Sequence, residues 1–107
     1  MNESAPNPSI HNAAVQRCCA AHQRSIEQSK AKFMNSQDLN LRAVLAYREA
    51  MPDLSGHQNI CDFIACTAHG ILLRVIDPIE GPKLLYAAQV ALGCLRYEPK
   101  PQKQPAA

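Results

Sequence analysis

The chain has 107 residues and a formal charge of +2, with 47% hydrophobic and 19% charged residues. That is the size and make-up of one folded domain; it excludes two domains, a disordered polyampholyte, a collagen-like repeat and a strongly basic nucleic-acid tail. Sixteen alanines, two phenylalanines and no tryptophan favour closely packed helices over a β-sandwich, because alanine is the best helix former and strands draw on aromatic and β-branched residues.

Residues 1–8 are polar and hold two prolines, Pro6 and Pro8. They predict a disordered N-terminal tail, and they lack the basic and apolar stretches of a secretory signal. A first helix is expected over about 9–34, with Ser9 as N-cap. Val15, Cys18, His22, Ile26, Ser29 and Phe33 recur at steps of three and four and mark its buried stripe. Lys30 and Lys32 suit the negative end of its dipole, and Asn35 can close it.

A second helix, about 37–51, follows Ser36 as N-cap and stops at Pro52, with an apolar side of Leu41, Val44, Leu45, Arg48 and Met51. Ser55-Gly56-His57-Gln58 reads as a capping box opening a third helix, about 56–77, that Pro78 ends. On a helical wheel Ile60, Ile64, Ala68, Ile71, Leu72 and Val75 fill its apolar arc, with Asp62, Cys66 and His69 opposite. A fourth helix, about 82–97, starts with Gly81 as cap and Pro82 as its first residue. It is apolar nearly all round, which makes it either the central helix or half of a dimer interface. Gly70 and Gly93, inside helices, are places for close backbone approach. Residues 98–107 hold three of the eight prolines and predict a second disordered tail. Together these elements predict an all-α, compact four-helix domain over residues 9–97, with short connectors and antiparallel neighbours. No stretch is long and apolar enough for a membrane span, so a cytoplasmic protein without membrane contact is expected.

Five cysteines, an odd number with no signal sequence before them, predict free thiols in a reducing compartment. Their ordinary use is as small buried hydrophobes. Two groupings could carry chemistry. Asp62, Cys66 and His69 share one helix face at spacings of four and three, the raw material of nucleophilic catalysis or metal binding. Cys18 and His22 stand four apart, and with Cys61, Cys66 and His69 they could form an interhelical zinc or copper site, because thiolate and imidazole are the ligands those metals select. No Cys-x-x-Cys pair supports that set. The polar first turns of the third helix, His57, Gln58, Asn59 and Asp62, resemble a groove-reading helix in kind. Arg17, Arg24, Lys30 and Lys32 give the first helix a mild excess of positive charge. A total of +2 is small for phosphate binding, and nucleic acid is disfavoured on that ground. Phosphate-cradling glycine loops, paired carboxylates on an apolar face and nucleophile elbows are absent from the sequence. The expectation is therefore a non-enzymatic protein-interaction or regulatory module. It binds a protein partner or a second copy through Leu84, Leu85, Tyr86, Gln89, Leu92 and Arg96 of the fourth helix, and needs no cofactor. A thiol or metal bundle is the alternative and weak nucleic-acid binding the third reading.

Overall fold

The structure, a computed structural model, describes residues 11–97. The expectations for Ser9 and for both proline-containing tails lie outside these residues. Four helices follow one another, α1 (Ala13–Ala31), α2 (Ser36–Ala50), α3 (His57–Leu72) and α4 (Glu80–Arg96), with no strand among the described residues. The all-α four-helix reading holds, with each helix shifted or shortened at its ends.

The caps explain the shifts. Asn12 opens α1, its Oδ1 accepting from the Val15 amide at 3.0 Å. Asn35 caps α2 instead of closing α1, accepting from the Asp38 amide at 2.8 Å. An asparagine side chain at this place satisfies an amide that the helix cannot. Helix α1 stops three residues early because Phe33 turns left-handed (φ 54°), with the Phe33 amide on Lys30 O and the Met34 amide on Ser29 O. Arg74 (φ 62°) ends α3 the same way, with Arg74 N on Ile71 O and Val75 N on Gly70 O. These paired bonds satisfy the last carbonyls of each helix. The expected capping box does not form. Gly56 is the N-cap of α3 and offers no side chain; Ser55 Oγ donates to Asp53, and Gln58 Nε2 reaches forward to Asp62. At α4 the helix begins at Glu80, and Pro82 sits inside the first turn, where a missing N–H costs nothing.

Three faces differ from the wheel reading. In α1 the stripe holds for Val15, Cys18 and Ser29, but Phe33 lies beyond the helix and is 95% exposed. In α2 the buried residues are Ala43 and Tyr47, while Leu41 and Leu45 face solvent. In α3 the buried side is Ile60, Cys66, Thr67 and Gly70, and Leu72 is 80% exposed. The α3 face is rotated by roughly 100° from the apolar arc. Small side chains let helices approach closely, and the approach buries them whatever their hydropathy. Gly70 shows it: a Cβ there would fall 2.7 Å from Ile76 Cδ1 and 3.2 Å from Tyr47 Cε1. Around Gly93 nothing among the described residues lies within 4 Å of such a Cβ.

The architecture is two consecutive helix pairs. Helix α1 lies along α2, α3 packs on α4, and α1 meets α3 over a short stretch that joins the pairs. The core at that joint is Ala14, Val15 and Cys18 of α1, Tyr47 of α2, Cys66 of α3, and Val75 and Ile76 of the following connector. Leu84 reaches this core from α4, and Arg48 of α2 bonds Glu80 of α4 at 2.6 Å. Helix α4 is therefore peripheral, which removes the central-helix reading. No helix among the described residues is long and apolar enough to cross a membrane.

Candidate functional site

Two features stand out from the core upward. The first is a thiol pair. Cys18 of α1 and Cys66 of α3 are both fully buried, and their sulfurs lie 3.6 Å apart, sharing a thiol hydrogen. Tyr47, also fully buried, donates its hydroxyl to the Cys66 carbonyl at 2.7 Å and so pins the α3 backbone beside the pair. The two thiols are inequivalent. The hydrogen bond to Cys18 and burial push the Cys66 thiol up, whereas Cys18 is lowered, because its thiolate would accept the Cys66 hydrogen. Burial raises the neighbouring Cys19 thiol and also the Tyr47 phenol, so both stay protonated.

The remaining candidates of the metal set do not join this pair. Cys61 sits beside His57, 3.8 Å from its Nε2. His22 and His69 are half-buried elsewhere on α1 and α3. Among the described residues no three His, Cys, Asp or Glu side chains gather as metal ligands. The Asp62, Cys66 and His69 grouping also separates, because Cys66 faces the core. Asp62 is held by Asn12 Nδ2 at 2.9 Å and Gln58 Nε2 at 3.0 Å, while Asn59 is bonded to Asp53 at 3.0 Å. The polar first turns of α3 thus spend their donors within the chain. Arg17, Arg24, Lys30 and Lys32 all stand exposed.

No protein-family model, curated protein or solved structure matches this chain.

The second feature is the outer face of α4. Its inner side buries Gly81 and Ala88 and half-buries Leu84, Leu85, Leu92 and Leu95. Of the six interaction candidates, then, Leu84, Leu85 and Leu92 serve the contact with the rest of the chain, while Tyr86, Gln89 and Arg96 are exposed. Opposite the inner side runs a row that the composition of α4 concealed: Tyr86 (67% exposed), Val90 (47%), Gly93 and Tyr97 (82%). Steps of four, three and four keep one line on a helix, as in a coiled-coil seam. That spacing was readable in the sequence. What hid it was the second apolar side of the same helix, and only packing decides which side faces in.

Between α1 and α2 lies an open groove of about 240 Å³, lined by Ser25, Gln28, Lys32, Arg42, Leu45 and Glu49. Its mixed charge singles out no ligand.

Proposed function

We propose that this protein is a non-enzymatic interaction module that pairs with a second copy of itself through the outer face of α4. The observation that carries this reading is the row of exposed Tyr86, Val90 and Tyr97 with half-buried Gly93 among them, on a helix whose opposite side already packs against α3. An apolar row with open space in front of it normally meets a partner.

The row is self-complementary. When two copies of α4 run antiparallel, Val90 of each copy faces Gly93 of the other, and Tyr86 of each faces Tyr97 of the other. A β-branched knob then fills the space left by a residue without a side chain, and two aromatic pairs bracket the centre. One patch serves both copies, the condition for a closed two-fold dimer. The flanking charges on α4, Lys83 and Arg96, are both cationic and lie towards the ends of the row, where solvent screens them.

The test is the mass of the full chain under reducing conditions, by native mass spectrometry and sedimentation. A dimer is expected at micromolar concentration. Val90→Glu places a charge in the centre and Gly93→Leu fills the space that Val90 would occupy; both should give monomers with unchanged helical signal. A monomeric parent chain, or a dimer indifferent to both changes, overturns the reading.

A further inference from the structure

We propose that Cys18 and Cys66 form a redox modification site, in which hydrogen peroxide converts the buried thiol pair into an intramolecular disulfide joining α1 to α3. Three observations carry this. The sulfurs are already 3.6 Å apart on facing helices, so closing to a disulfide bond moves them together by roughly 1.6 Å. Cys61 stands by His57 and Cys94 is exposed on α4, so the other thiol near the pair is Cys19, which packs against the same core and is the competitor that the test separates. Both sulfurs are without solvent contact, which favours the smallest class of oxidant: a bulky disulfide reagent does not fit where peroxide does.

The chemistry balances within the pair and the peroxide. The Cys18 thiolate, which Cys66 stabilises by donating its hydrogen, attacks one peroxide oxygen. The O–O bond breaks, hydroxide leaves with the proton that Cys18 gave up as water, and Cys18 becomes a sulfenic acid. The Cys66 sulfur then attacks the Cys18 sulfur. The S–O bond breaks, the hydroxyl departs as a second water with the Cys66 proton, and the disulfide remains. Two thiols are oxidised by two electrons and one peroxide is reduced to two waters.

The position gives the bond its effect. Among the described residues α1 and α3 are the only helices whose backbones meet across the two pairs. A bond there turns a short packed joint into a covalent one.

The full chain, carrying Cys94→Ser to suppress links between copies, is reduced, freed of reductant and treated with hydrogen peroxide. Remaining thiols are then blocked, and the digest is read by mass spectrometry. The expected product has lost two hydrogens, links the Cys18 and Cys66 peptides, and reverts with dithiothreitol. Its unfolding midpoint should rise on the order of 10 °C, because a 48-residue separation is closed. In Cys66→Ala no bond can join α1 to α3, so the same peroxide treatment should give neither a Cys18-linked α3 peptide nor the rise in unfolding midpoint. A Cys18–Cys19 bridge, a sulfinic acid at Cys18 as the main product of the parent chain, or oxidation confined to Cys19 and Cys61 overturns the proposal.

Discussion

The Tyr47 hydroxyl donates to the Cys66 carbonyl across 2.7 Å of buried space, so one phenol of α2 holds the α3 backbone at the point where α3 meets α1. The ring packs among Cys18, Cys66, Val75 and Ile76, and its two ends do different work. The ring fills volume and the hydroxyl fixes register.

Tyr47→Phe keeps the ring and loses the bond. It should cost about 1 kcal/mol, the usual net worth of a neutral hydrogen bond. Tyr47→Ala also opens a cavity and should cost about 3–5 kcal/mol. Urea denaturation followed by circular dichroism separates the two, and equal losses would mean that the hydroxyl carries the whole effect.

Phe33 holds a left-handed conformation with its side chain 95% exposed. A non-glycine residue pays about 1–2 kcal/mol for that backbone, and little packing repays it here. Phe33→Gly should therefore stabilise the chain by about 1 kcal/mol after the added freedom of the unfolded state is counted. A lower denaturation midpoint than the parent would show that the ring contributes contact.

Gly70 should tolerate no Cβ. The space belongs to Ile76, itself 2% exposed, and to Tyr47. Gly70→Ala gains about 1 kcal/mol of helix propensity and loses about 1–3 kcal/mol to overpacking. The net effect should be destabilising by up to about 2 kcal/mol, read by thermal or urea unfolding.

His22 gives a pH dependence. Burial lowers its pKa below the ordinary 6.5, so the unfolded chain takes up the proton first. Its contribution to stability is complete above the unfolded value and is lost as pH falls below about 6.5 through the folded value. The urea midpoint should therefore drop between about pH 7.5 and pH 5.5, and His22→Gln should flatten that slope.

The sequence shows the number and order of the helices because prolines, glycines and polar caps punctuate it: Pro52 follows α2 as expected, whereas α3 ends at Leu72, well before Pro78, because Arg74 turns left-handed. Caps were harder. Asn35 and Ser36 are both good N-caps, and adjacent candidates compete within one residue. Faces were hardest where the core is made of small residues. Cys66, Thr67 and Gly70 score as polar or neutral, yet they line the buried side of α3 because they permit the closest approach. The metal-site grouping set Cys18 beside Cys66, and these two do meet, but the wheel that sends Cys66 outward gives no reason for the meeting, and His22, Cys61 and His69 stay apart from it. On α1, where Val15 and Ser29 flank Cys18 on a regular stripe, the same method places the cysteine correctly.

The order in which the helices pack also bears on how the chain folds. Each pair consists of neighbours in sequence, joined by connectors of a few residues, so most of its contacts close short loops. Such topologies fold in microseconds to milliseconds. The encounter between α1 and α3 closes a longer loop than either pair does and so carries the larger closure entropy, and Tyr47, Cys18 and Cys66 meet at that joint.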